Sequence, residues 1–173
     1  MITGNIQKTT SYRIVLPFYL YAALSFLVAC IMLLLFNDSF QFHHFNPKTL
    51  VVTHIMALGW GTMIILGASY QLVPVLIEGQ LYSNFMAYLS FAFAGIGIPL
   101  LAYGFYSFDM GLPMQMGGIM INLAIFLYLA NLAKSLYDSK TKNVHATIVF
   151  TAIAWLFATT LLGLLLVYNF NIK

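Results

Sequence analysis

The side chains in this sequence that could bind a metal or move a proton are few, and their spacing sorts them into two groups. His54 stands alone inside a long apolar run, with His43 and His44 in the short polar stretch before it. The second group is a run of thioethers, Asp109-Met110-Gly111-Leu112-Pro113-Met114-Gln115-Met116, followed by Met120. An imidazole in apolar surroundings needs a hydrogen bond, a metal or a haem iron, because an unpaired polar group there is costly. Thioether and imidazole together are soft donors that select Cu(I). His43, His44, Met114 and Met116 are therefore candidate copper ligands, although methionine is also an ordinary filler of helix packing.

Other chemistry is missing. The sequence has no phosphate-cradling glycine loop with a lysine, no zinc-hydrolase histidine pair on a helix and no paired carboxylates. His43 and His44 are adjacent, so they do not share a helical face and make a weak zinc motif. The seven basic residues are scattered at segment ends without forming a patch, which gives a nucleic-acid reading no support. Cys30 follows Leu27-Val28-Ala29, as in a lipoprotein cleavage box, but the apolar run continues through Phe36 and reads as the interior of a helix.

The elements that must position these residues follow from composition. Only 6% of the 173 residues are charged and 62% are hydrophobic, whereas a soluble domain carries about a quarter charged residues. Mean hydropathy is +0.92. Such a chain cannot coat a water-soluble globule, so its partner is the lipid bilayer. Five apolar runs, roughly 14–36, 50–77, 84–108, 112–136 and 144–170, are each long enough to cross about 30 Å of hydrocarbon. Short polar breaks separate them, which predicts one all-α domain over 1–173: a five-transmembrane-helix bundle with successive helices antiparallel.

The basic residues predict an orientation. Lys8, Arg13, Lys134, Lys140 and Lys142 fall on the N-terminal side, against Lys48 and Lys173 on the other. That places the N-terminus in the cytoplasm and the C-terminus outside, as in a bacterial inner-membrane protein. Arg13 and His145 are expected at the cytoplasmic boundary, where they can reach the interface. Glu78, just beyond Pro74, reads as a solvated turn residue.

Ionisable residues within a bilayer are functional candidates, and His54 is the one expected well inside it. At about 100° per residue, Ala57, Gly61 and Ala68 share its face, flanked by Leu58, Ile65 and Leu72. This describes a histidine above a shallow trough of small residues, a surface on which a flat macrocycle could stand edge-on with its iron at the imidazole. A hydrogen-bonded structural histidine is the competing reading. The glycines at 59, 61, 67, 95, 97, 117 and 118 suit close helix packing, the commoner use of small residues in membranes, and also make room for a flat cofactor.

The stretch His54-Ile55-Met56-Ala57-Leu58-Gly59-Trp60-Gly61-Thr62-Met63-Ile64-Ile65-Leu66-Gly67-Ala68-Ser69-Tyr70-Gln71-Leu72-Val73-Pro74 resembles the second helix of haem-copper oxidase subunit I, in the nitric oxide reductase and C-type oxidase branch. In that family a histidine near the outer end of the helix ligates a low-spin b-type haem. The resemblance implies His54 as an axial ligand of haem b, and work in electron transfer, haem or gas sensing, or a respiratory assembly. It covers about thirty residues strongly, and five helices leave no place for the family's later ones, which carry the other haem ligands and the catalytic centre. The chain by itself is therefore not expected to be a complete oxidase or reductase. A second haem ligand would come from His54 of a second copy in a homodimer, from His43 or His44, from a methionine of the fourth helix, or from a companion membrane subunit.

Overall fold

The computed structural model describes residues 10–41, 43–139 and 144–171. Lys8, Lys140, Lys142 and Lys173, on which much of the charge asymmetry rests, lie outside the described residues. The five expected spans are present as α1 (Tyr12–Leu35), α2 (Pro47–Leu76), α3 (Asn84–Ser107), α4 (Leu112–Tyr137) and α5 (Val144–Asn171). Each is long and apolar enough to cross a membrane, and no strand occurs among the described residues. The protein is an integral membrane protein built as an antiparallel helical bundle.

Local chemistry sets the helix ends. Ser11, Asn46 and Ser83 cap α1, α2 and α3 by accepting the N–H of Arg13, Lys48 and Met86, which satisfies backbone donors that the helix leaves orphaned. Pro47 follows Asn46 at the first helical position, where a missing N–H costs nothing. Helix α3 ends at Phe108, in the left-handed region at φ 51°, and the Asp109 N–H returns to the Gly104 carbonyl at 3.0 Å. Pro17, Pro74 and Pro99 lie inside helices.

Helices α3 and α4 make the most extensive contact, and glycine sets its closeness. A Cβ on Gly117 would lie 2.5 Å from the Leu101 nitrogen and 2.8 Å from the Gly97 oxygen. One on Gly104 would lie 2.6 Å from the Met114 Cβ. Elsewhere Gly59 backs onto Ser25 and Gly67 onto Phe18, so these two seat α1 against α2. Gly61 does not take part in this packing: its nearest neighbour would be the Met56 carbonyl oxygen at 3.5 Å.

Polar groups supply the remaining attachment. Asn131 on α4 receives the Ser83 N–H at 2.9 Å and donates to the Ser83 carbonyl at 2.8 Å. Ser135 receives the Tyr82 N–H at 2.9 Å, and Ser90 donates to the Ala124 carbonyl at 2.8 Å. Between these and α2, the buried rings of Tyr70 and Tyr128 meet edge to face with centroids 4.7 Å apart. Helices α1 and α5 are peripheral: 17% and 6% of their most apolar stretches are buried, against 50% for α4.

Because backbone atoms would meet any side chain at Gly117, Gly117→Ala is expected to destabilise the bundle by about 1–3 kcal/mol. Gly163→Ala, whose added Cβ meets nothing within 4 Å, should leave the thermal unfolding midpoint in detergent unchanged. Equal midpoints for the two variants would contradict this account of the α3/α4 contact.

Candidate functional site

Because α2 begins at Pro47, His54 lies seven residues into the helix, or about 10 Å below its end. That is deeper than a start near residue 50 predicts. Its Nδ1 lies 2.7 Å from the Leu50 carbonyl oxygen, one turn back. Only a protonated nitrogen can pair with a carbonyl, so Nδ1 carries the proton and the lone pair is on Nε2. Nε2 makes no hydrogen bond among the described residues. The imidazole stacks on Phe105 of α3, with centroids 4.0 Å apart and planes 26° apart.

Below His54, α2 departs from α geometry. Residues Ile55–Thr62 form a π-helix, and the Thr62 hydroxyl donates to the Ala57 carbonyl, five residues back, at 2.9 Å. A π turn holds more residues than an α turn, so each residue advances by a smaller angle and faces computed from α spacing drift. This decides which small residues accompany the histidine. Ala57 and Leu58 lie beside His54 on the wall of a cavity of about 460 Å³, whereas Gly61 and Ala68 do not line it. Ile65 and Leu72, expected to flank the trough, are exposed toward lipid.

The cavity turns away from α2 and crosses to α5. Phe105, Gly118 and Asn122 form its floor, and Thr160, Gly163 and neighbouring leucines form the far wall. Asn122 donates from Nδ2 to the carbonyls of Gly118 at 2.9 Å and Thr160 at 3.2 Å, and accepts the Thr160 hydroxyl at 3.2 Å. This closed polar unit fastens the peripheral α5 to α4. Gly163 keeps the far wall thin, while Gly118 lets the Leu164 side chain pack closely on α4.

The thioether group does not converge with the imidazoles. Met114 is fully buried against Gly104, while Met116, two residues on and so on another helix face, is 48% exposed. His43 and His44 are exposed in the α1–α2 connection with their rings 4.0 Å apart. No three His, Cys, Asp or Glu side chains gather as a possible metal site among the described residues. His145, in the first turn of α5, is at the opposite end of the bundle from His54. Lys48 leans toward α1, its Nζ 5.0 Å from the centre of the Phe36 ring.

Phe105, Asn122, Thr160 and Gly163 were not legible as site residues from the histidine's own helix. Asn122 had a signal nonetheless: an amide in mid-span is as conspicuous in lipid as an ionisable group. No family model matches the chain, and neither a curated protein nor a solved structure matches it.

Among the residues present, His54 could hold a haem iron, through Nε2. The Leu50 carbonyl holds the imidazole as metal-bound histidines are usually held, by a hydrogen bond at the other ring nitrogen. The cavity also falls in the usual size range of ligand sites. Apart from His54, its wall carries no histidine, methionine, cysteine or lysine among the described residues. Asn122→Val should loosen α5 by about 0.6–1.7 kcal/mol, the range of interhelical polar bonds in membranes. Amide exchange in α5 relative to α4 reads this directly, and unchanged protection would refute the fastening role.

Proposed function

We propose that the protein binds haem b in the α2–α5 cavity through the Nε2 of His54. The observation that carries this reading is the 2.7 Å bond from Nδ1 to the Leu50 carbonyl, which leaves Nε2 as the unpaired donor atom at a ligand-sized cavity. A structural histidine would also satisfy Nδ1 in this way, but it would not need open space beside the ring. The resemblance of His54–Pro74 to the haem-binding second helix of oxidase subunit I points to the same residue.

In this reading the chain's own groups have distinct tasks. The Leu50 carbonyl fixes the ring's tautomer and makes Nε2 more basic. Phe105, stacked on the imidazole, limits its rotation. Ala57 and Gly163 leave room, and the leucine walls keep water away. Bound there, haem would supply one-electron transfer or binding of a diatomic gas. Because His54 is the one ligating side chain among the described wall residues, a haem held there would need any further protein ligand from a second copy of this chain or a companion membrane subunit. The setting we propose is a bacterial cytoplasmic membrane with the N-terminus inside. Of the basic residues that favour this orientation, Arg13 and Lys134 are at the α1-start and α4-end side.

The test is the visible spectrum of protein purified in mild detergent, oxidised and dithionite-reduced. A Soret band is expected, lost in His54→Ala and restored in His54→Gly by added imidazole. Gly163→Phe, which fills the cavity from the far wall, should lower haem occupancy while leaving His54 in place. A colourless protein after expression with excess haem would sink the proposal.

A further inference from the structure

On the other side of α2, between α1, α2 and α3, a second cavity of about 510 Å³ has an almost entirely apolar lining. It shares no wall residue with the His54 cavity and is argued independently of haem. Along α1 it runs from Tyr21 to Met32, eleven residues or about 16 Å of helix. Tyr21 is near the middle of α1 and Met32 near its end. The groove is therefore as long as one leaflet's share, about 15 Å, of the hydrocarbon core. Its deep end offers no free phenol, since the Tyr21 hydroxyl donates to the Gly95 carbonyl at 3.2 Å.

The mouth has a different character. Tyr103 and Tyr106 of α3 line it and are more than half exposed. The Tyr106 ring is 6.4 Å from that of Phe36, and the Lys48 Nζ stands over Phe36, 5.0 Å from its ring centre. Lys48 makes no ion pair among the described residues. Of the carboxylates on this side, Asp109 accepts the Gly111 N–H at 2.8 Å, and Asp38 is exposed without pairing to Lys48. An apolar slot one leaflet deep, with interfacial tyrosines and an uncompensated cation at its mouth, matches one molecule in chemistry and length.

We propose that this groove is a specific site for an anionic phospholipid of the leaflet on the Lys48 side. One acyl chain lies between α1, α2 and α3, and the phosphate lies at the Lys48 ammonium. A zwitterionic phospholipid carries the same phosphate, but its own headgroup cation offsets that charge and weakens the attraction to Lys48. A second copy of the chain could bury the slot and offer the exposed Asp38 to Lys48, an outcome that the oligomeric mass separates from lipid binding.

Native mass spectrometry of delipidated protein in neutral detergent, mixed with equal amounts of phosphatidylglycerol and phosphatidylcholine of the same chains, tests this. Wild type is expected to retain one phosphatidylglycerol in preference to phosphatidylcholine. Lys48→Gln should lower that retention about fivefold, the factor one lysine supplies near an anionic surface, and lower phosphatidylcholine retention less. Val28→Trp, which fills the slot from an exposed position, should abolish retention of both. Leu20→Trp, on the lipid face outside the slot, should behave as wild type. Equal retention of the two lipids by wild type, or retention unaffected by Val28→Trp, would overturn the site. A change of oligomeric mass in Val28→Trp without a change in bound lipid would instead make this face an interface between copies. Lys48→Gln, at an exposed position, keeps the test decisive even if the tryptophan variant misfolds.

Discussion

Two helices in hydrocarbon gain nothing by burying apolar surface against each other, because lipid chains already solvate that surface. They hold together only where backbones approach closely enough for dense van der Waals contact or where polar groups meet. This constraint explains the arrangement. Helices α3 and α4 satisfy it through Gly97, Gly104 and Gly117, at distances no side chain could tolerate. Asn131 and Ser135 then pin the start of α3 by its backbone, so the α2–α3 connection is held by α4. With that pair as the frame, α1 seats on α2 through Gly59 and Gly67, and α5 depends on the Asn122–Thr160 unit.

The same constraint creates the cavity at His54. Helix α5 touches the frame along a narrow strip and is otherwise turned to lipid. A Cβ on Gly163 would meet nothing within 4 Å, so this part of α5 leaves space, whereas Gly118 is packed closely against Leu164. Helix α2 contributes a second irregularity at the same level, since its π segment starts directly after His54. Such segments recur at functional sites, where they re-aim side chains. Here the segment separates the histidine from the small residues further along the helix. The open space therefore extends across the bundle toward α5.

The two cavities on opposite sides of α2 differ in kind. One has a single donor nitrogen and a polar staple in its floor, and the other is apolar along its length with a cation at its mouth. Val51 and Ile55, whose side chains face the α1–α3 groove, are immediate neighbours in sequence of Leu50 and His54. A displacement of the first turns of α2 would be felt in both places.

By itself the sequence determined the membrane class, the five spans and the antiparallel order, because each follows from segment length and apolar content against a bilayer of known thickness. It also marked His54, since a lone imidazole in an apolar run stands out without any knowledge of its neighbours. Its limits appear where geometry ceases to be periodic or local. Ala57 stays with His54 but Gly61 and Ala68 do not, because a fixed angle per residue cannot anticipate a π segment. Met114 and Met116 are close in sequence yet separate into a buried contact and a lipid-facing side chain, which depends on where α3 packs. Phe105, Asn122 and Gly163 come from three helices distant in the chain. Only the tertiary structure could bring them to one cavity, because their meeting is set by helix–helix contacts that no single segment encodes.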